Sequence, residues 1–420
     1  MKKALALILL SMLPLQAQRA QADKVLVSAE VVRNQYQVIF RHTIKADPGG
    51  QLELKDMFGD VIITGTDSGI LEIVEIIRVG RYAPENTEEY ASRMSGWLEL
   101  IPDELPVFTF RVERRRSRYV STSYNISIPK IFNVFVKSFG GDIDLSHVKG
   151  EINIKTGGGD ITVANTSGRI SIRTSGGDIE VLKAEGQIDI VTSGGDIEGR
   201  KIEGKITIKS GGGDIELISG KGTLETETGG GDIDVSDFEG PSIKARTGGG
   251  DLDFTRITAV LNLITGGGDI DVSNLIGDLE VATGGGDIDL QQAVGDIILY
   301  TNSGDVKAKK INGALRVRSG RGDITIDGWL LDKASKNKSL LETRRGDIHI
   351  NLSGNVAVSI ALKILDTPPR YGMQQIYGNI AFDISREQGN TLGWYGAPNS
   401  VHAIEVETRD GTITIYESKD

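Results

Sequence analysis

Cysteine is absent from the 420 residues. That excludes disulfides, thiol nucleophiles, thiolate metal sites and a lipid-carrying cysteine. Histidine is scarce. His42, His147, His349 and His402 are scattered and match no metal or triad motif, so each is expected at the surface. Past the first residues no apolar run is long enough to cross a bilayer. Excess positive charge is missing as well. The net charge of −11 includes Lys2, Lys3 and Arg19 near the start, so the rest of the chain is more acidic still. Such a surface argues against nucleic acid as a partner. No helical spacing of apolar residues runs through the body of the chain.

The chain opens MKKALALILLSMLPLQAQRAQA. Two lysines, a short apolar run and the small residues Ala20 and Ala22 have the form of a bacterial secretory signal. Residues 1–22 are therefore set apart as a signal peptide, and the mature chain is expected to start near Asp23. It is expected in the periplasm, the cell envelope or outside the cell.

Glycine is abundant, 54 residues in all, and it is periodic. TSGGDIEVLKAEGQIDIV, from Thr174 to Val191, returns in altered form along the chain. Its aspartate recurs as Asp142, Asp160, Asp178, Asp196, Asp214, Asp232, Asp251, Asp269, Asp287, Asp305 and Asp323, and again as Asp347. The spacing is 18 except for 19 between Asp232 and Asp251 and 24 before Asp347. The single extra residue falls in FEGPSIKAR, around Pro241.

Each period holds two short alternating apolar segments. Ile161/Val163 and Ile170/Ile172 are one such set, Ile179/Val181 and Ile188/Ile190 the next. Alternation over four to six residues is the signature of a half-buried strand, and the glycine runs make a helix costly. Neither segment can stand alone. Stacking equivalent segments from successive periods turns the Ile and Val columns into one core. The fold class expected is all-β, a single-stranded β-solenoid (β-helix) with 18-residue coils. Eleven steps of about 4.8 Å make its regular section roughly 50 Å long.

Glycine before each aspartate permits the tight corner. A second glycine near mid-period (Gly168, Gly186, Gly204) marks another corner. A third bend near Val148 or Phe238 would make the coil triangular and not flat, a choice left open at this stage. A Thr or Ser column four residues before the aspartate, from Ser138 to Ser319, shares parity with the buried Ile column. Its hydroxyls are expected inward, bonded to the glycine turn.

The domains expected are the signal (1–22), a β-rich N-terminal lead-in and cap (23–138), regular repeats (139–327) and irregular C-terminal coils with a cap (328–420). Asp56 and Asp60 have the Thr-to-Asp spacing of a first coil. Asn86 and Glu89 resemble a capping box, which places one short helix in the N-terminal region, packed over the solenoid end. LDTPPRYGMQQ and SREQGNTLGWYGAPNS are expected to be loops, with Trp394 and Tyr395 folded back as a cap. Arg111, Arg114, Arg115, Arg116 and Arg118 form a dense basic run. It is either a solvated edge strand or a patch for an anionic polymer.

Three kinds of chemistry fit the GGGD step to different degrees. A phosphate cradle needs a following helix, and a strand follows every time. Calcium rolls share the 18-residue length but space glycine and aspartate differently. Asp178, Asp196, Asp214, Asp232, Asp251, Asp269 and Asp287 are nevertheless the carboxylates a calcium-stabilised roll would use. A second acidic column (Asp144, Glu180, Glu198, Glu216, Asp234, Asp253, Asp271, Asp289) lies two residues further on. Neighbouring carboxylates repel by roughly 1 kcal/mol per pair even in water. The simpler reading gives each repeated aspartate the amides of its corner to bind. Catalysis on β-helices uses carboxylates clustered in one groove, and here the carboxylates are periodic. No catalytic residue and no cofactor is nominated. Lys155, Arg173, Lys209, Arg246 and Arg318 give another face a partly basic column.

T/S-G-G-D-I-x-V with G-x-I-x-I-x-T, behind a signal peptide, resembles the bacterial putative-adhesin family of SGGDI-type β-strand repeats. YNISIPKIFNVFVKSFGGDIDL resembles the family's lead into its repeats, and the likeness runs from about Leu52 to Tyr416. It implies a β-solenoid at the cell envelope or beyond, with adhesion suggested by the family's name. The function expected is a non-enzymatic binding or scaffold protein whose partner is an envelope or extracellular polysaccharide or protein. The alternatives are a β-helix carbohydrate-active enzyme and a calcium-stabilised roll.

Overall fold

The computed structural model describes residues 23–32, 35–80, 98–101, 106–112, 119–330, 338–353, 358–365, 376–396 and 402–418. Among them the chain forms 32 strands, β1 to β32 in chain order, and no helix. The helix expected around Asn86 lies outside the described residues. Two compact units divide the chain, Met1–Phe139 and Gly140–Asp420.

The first unit mixes strand directions. β1 (Asp23–Val32), β2 (Gln35–Lys45), β5 (Ile70–Val79) and β8 (Val120–Pro129) pair antiparallel in that order. β8 also runs parallel to β4 (Asp60–Thr66). β3 (Gln51–Met57) lies parallel to both β7 (Val107–Val112) and β9 (Asn133–Ser138). Met57, not Asp56, stands opposite Ser138. Asp56 is bulged out of register with φ of 55°, because the extra residue of a bulge needs the left-handed conformation that Asp tolerates.

His42 corrects the surface expectation. The pleat of β2 sends it inward in phase with Val38 and Ile44, and it is buried. Its Nε2 lies 3.6 Å from Oε2 of the fully buried Glu75. Glu75 Oε1 accepts from the amide of Leu98 at 3.1 Å, the first residue of β6 (Leu98–Ile101). Tyr124 faces Glu75 across the β5–β8 pair. Burial first, and the Glu75 charge second, push its phenol well above the ordinary value.

The second unit is a stack of parallel coils in strict register. Ile161, Ile179 and Ile197 are direct neighbours, and each is buried. β12 (Ile161–Thr174) to β17 (Leu252–Thr265) each occupy almost a whole coil. The 19-residue coil absorbs its extra residue as a bulge between Glu239 and Ser242, at Gly240–Pro241. Apart from one inward Thr/Ser column, inward positions are mostly Ile, Val and Leu. Burying one such side chain contributes about 1.5–3 kcal/mol, which the file repeats coil after coil.

The coil has a third corner. His147, Asn165, Lys183, Lys201, Ser219, Asp237, Arg256, Asn274, Gln292 and Lys310 all have φ between 53° and 62°. They recur five residues after the ladder aspartate and immediately before the position of Val148 and Phe238. Asn165 and Lys183 drop out of the pairing register, as a turn residue must. Glycine corners and this left-handed column together give three bends per coil.

Beyond Asp347 the coils open into longer excursions. β29 (Asp383–Glu387) and β30 (Asn390–Tyr395) form an antiparallel hairpin within the stretch expected to be a loop. Gln388 and Gly389 both have positive φ, 51° and 84°. Two successive left-handed residues make the primed turn that matches strand twist.

Candidate functional site

The repeated aspartates form one hydrogen-bonded ladder. Each Asp from Asp160 to Asp347 donates its backbone N–H to Oδ1 of the equivalent Asp one coil earlier, starting at Asp142, at 2.7–3.0 Å. The partner is therefore the corner amide of the next coil, not an amide of the same turn. The amide dipole between successive carboxylates offsets part of their repulsion. Thr412 ends the ladder, its N–H and Oγ1 both reaching Oδ1 of Asp347 at 2.7 and 2.9 Å.

The Thr column forms a second ladder, buried beside the first. Thr228 is representative: Oγ1 donates to the Gly213 carbonyl of the previous coil at 2.9 Å and accepts the Gly231 amide at 3.3 Å. Thr343 and Thr408 extend the column past the regular repeats. A third, shorter ladder escaped notice in the sequence. Asp296 N–H reaches Asp278 Oδ1 at 2.9 Å, and Ala314 N–H reaches Asp296 Oδ1 at 3.4 Å. Its signal was present: Gly277-Asp278 and Gly295-Asp296 repeat the Gly-Asp step at the mid-period corner.

The outer acidic column is in register as well, with Asp234, Asp253, Asp271 and Asp289 stacked on successive coils. Partial burial, then the neighbouring carboxylates, hold Asp234, Asp253 and Asp271 above the usual aspartate range. No grouping of three or more His, Asp or Glu side chains suited to a metal ion occurs among the described residues. The aspartates a calcium roll would use all belong to the first ladder.

The basic column is interleaved with acid. Arg173 meets Asp189 at 2.8 Å, Lys209 meets Glu227 at 2.8 Å, and Arg318 meets Glu342 at 3.1 Å. Exposed pairs of this kind contribute at most about 1 kcal/mol each; the face is mixed in sign. In the basic run, Arg111 lies in β7 with Nε 3.5 Å from Asp56 Oδ2. Arg114, Arg115, Arg116 and Arg118 lie outside the described residues.

The C-terminal excursion carries a cleft of about 500 Å³. β25 (Ser339–Thr343), β31 (His402–Thr408), β27 (Val358–Ile364), β30 and β29 lie side by side in that order. Pairing places Leu340, Glu405, Ala361, Trp394 and Asp383 in one row across these five strands. Lys363 and Glu407 belong to the next row, 3.4 Å apart. The indole N–H of Trp394 is anchored on the Gly396 carbonyl at 3.1 Å. Tyr395 packs its ring edgewise against Phe382, while Trp394 is exposed.

A family model, Toastrack DUF4097, matches residues 118–223, 200–296 and 276–359, more than half of the chain. The chain belongs to the Toastrack DUF4097 family. The ladders described above run through the matched residues. Toastrack DUF4097 is a domain of unknown function, so membership carries the solenoid and no reaction. Among solved structures, a "putative cell adhesion protein" from Clostridium sporogenes ATCC 15579 is 11% identical, covers 95% of this chain and 100% of its own, and has a TM-score of 0.14. A "putative adhesin" from Bacteroides fragilis NCTC 9343 is 8% identical, with 90% and 97% coverage and a TM-score of 0.17. Likenesses at those TM-scores carry no argument about shape or activity. No curated protein matches the chain.

Proposed function

We propose that the chain is an exported, non-enzymatic Toastrack protein of the adhesin-like kind, a stiff scaffold that holds a binding surface at the cell envelope or outside it. One observation carries this reading. The repeated carboxylates and hydroxyls are already bonded to backbone amides and carbonyls of neighbouring coils. A side chain so committed stiffens the stack and has little left for a substrate. The signal-like sequence of residues 1–22 supports export. The partner is an envelope or extracellular polysaccharide or protein.

The cleft gives a β-helix hydrolase or lyase its one favourable observation, since Asp383, Glu405, Glu407 and Lys363 are acids and a base outside the repeat. A hydrolase, however, needs one carboxyl kept protonated by apolar surroundings. Glu405 is exposed, with Lys338 3.9 Å away, and Glu407 is paired with Lys363. The arrangement suits binding better than proton transfer.

The test is capture from envelope fractions with the purified mature chain, run beside an assay for reducing ends released from the same polysaccharides. Specific capture without turnover is expected. Turnover abolished by Glu405→Gln would replace the binding reading with the enzymatic one.

A further inference from the structure

The cleft in the C-terminal excursion is concave, carries an aromatic ring and is lined by residues outside the repeat. Resting on the binding reading above, we propose that it takes an alkylammonium group.

The row across the five strands sets its shape. Glu405 and Trp394 stand two strands apart, roughly 10 Å at about 4.8 Å per strand, with the small side chain of Ala361 between them. A slot therefore opens between a carboxylate and an indole. Asp383 follows Trp394 in the same row and closes the far side, while Leu340 lies beyond Glu405. Gly393, on the strand that carries Trp394, leaves no room for a Cβ without crowding Leu362 at 3.3 Å and Ile376 at 3.1 Å. The backbone is thus held close beneath the slot.

Charge selects the occupant. The lining holds three carboxylates, Asp383, Glu405 and Glu407, against the single cation Lys363, and Lys363 already faces Glu407. Asp383 remains to balance a guest, joined by Glu405, whose charge the exposed Lys338 shares at 3.9 Å. An anion is repelled. An ammonium gains both carboxylates and the face of a tryptophan, the aromatic ring that attracts cations best. Because the indole N–H is already bonded to Gly396, the ring is oriented before the guest arrives, which lowers the ordering cost of binding. The volume, about 500 Å³, is in the range of small-ligand sites and large for one ammonium head. It leaves space for the chain that carries the head, whether a free amine or the lysine side chain of a partner.

Calorimetric titration of the full mature chain at low salt tests this. The probes are tetramethylammonium chloride, Nα-acetyl-lysine methylamide and methyl β-glucoside. One or both cations are expected to bind saturably, more weakly as salt rises, and the glucoside is not. Tighter binding of the lysine amide assigns the site to a partner's side chain; tighter binding of tetramethylammonium assigns it to a free quaternary amine. Trp394→Leu and Glu405→Gln should each weaken cation binding about tenfold. Trp394→Phe keeps a ring and should restore much of it. Glu216→Gln, in the outer acidic column, should change nothing. Glucoside binding in place of the cations overturns the proposal in favour of a sugar slot. Absence of any binding, or equal loss in Glu216→Gln, overturns it outright. Its failure is separable from that of the broader reading. Capture of an envelope partner that survives Trp394→Leu removes the cleft's role alone, whereas cation binding without any captured partner removes the adhesin-like role alone.

Discussion

Replacing Asp214 tests whether the aspartate ladder holds the stack through its acceptor atom or through its charge. Asp214 accepts the Asp232 amide at 2.8 Å and donates its own amide to Asp196 at 2.8 Å. Alanine leaves the second bond intact and deletes the first. Loss of a hydrogen bond to a charged acceptor costs about 1.5–3 kcal/mol. Against that, the carboxylate has a like charge on each side, one strand spacing away. At about 4.8 Å each repulsion is ~0.9 kcal/mol in water, and 0.15 M salt screens it to about half. Removing the charge returns about 1 kcal/mol from the two neighbours together. The hydrogen bond wins, and Asp214→Ala should destabilise by about 0.5–2 kcal/mol.

Asparagine keeps an oxygen at the acceptor position and loses the charge. Its neutral hydrogen bond is weaker by about 1 kcal/mol, and relief of repulsion offsets most of that. Asp214→Asn should therefore stay within about 0.5 kcal/mol of the parent at 0.15 M salt. At 1 M salt the relief disappears, so both variants should fall further behind the parent. Urea midpoints of the mature chain report these differences. Hydrogen exchange localises them, because the Asp232 amide should lose protection in Asp214→Ala and keep most of it in Asp214→Asn. Equal damage from both substitutions would refute the acceptor argument. So would an Asp232 amide as protected in the alanine variant as in the parent.

Neighbouring glycines should respond in opposite ways. A Cβ at Gly213 would lie 2.2 Å from the Gly195 carbonyl oxygen, and one at Gly212 meets nothing within 4 Å. Gly213→Ala should cost about 2 kcal/mol or more through forced backbone movement, and Gly212→Ala should be close to neutral, as read from thermal midpoints. Acid should first stabilise the second unit. The raised values of Asp234, Asp253 and Asp271 mean that the folded chain binds these protons more tightly than the unfolded chain. Stability then rises as pH falls from neutral through the raised values to the ordinary aspartate range. Below that range the ion-paired Glu227 and Asp237, both lowered, lose their contribution and the trend reverses. Asp253→Asn should flatten the rising part of a stability–pH curve, and a monotonic fall from pH 7 in the parent would contradict this. Calcium should leave the thermal midpoint where a chelator leaves it, since the ladder carboxylates already bind amides; a rise of several degrees with calcium would restore the roll reading.

The stack was legible because its determinants are local and repeated. Alternating Ile and Val specify which face is buried, and glycine before aspartate marks where the chain turns. Ser210 and Thr228 could be placed inward from parity alone. The left-handed corner was harder to see, because no one residue type marks it. Only the column as a whole, always polar from His147 to Lys310, distinguishes it from an ordinary outward position. Long-range partners were not legible. The sequence allowed a bond from Asp214 to some corner amide, but that the amide belongs to Asp232 follows from stacking. His42 misled for the related reason that a strand's phase outranks the polarity of one residue in it. The hairpin at Gln388-Gly389 carried a real turn signal that its polar composition obscured.

The ladder's end explains where binding can begin. Where each corner supplies both a carboxylate and an amide, the next corner is fixed in place, but the chain between two corners can lengthen: 24 residues separate Asp323 from Asp347 and the bond between them persists at 2.7 Å. The coil after Asp347 keeps the Thr bond, from Thr408 to the Gly346 carbonyl, but replaces the next carboxylate with Thr412, whose hydroxyl and amide both turn back toward Asp347. Between those two residues the chain adds β27 as a further parallel strand on β31, with the antiparallel β30 and β29 beyond it, and so places Ala361, Trp394 and Asp383. β31 then returns between β25 and β27 and brings Glu405 into the same row as the residues of the excursion. Regular coils thus fix one wall of the cleft, and the residues inserted between Asp347 and Thr412 supply the other. Aperiodic chemistry arises where the stretch between two bonded corners is long enough to build strands of its own.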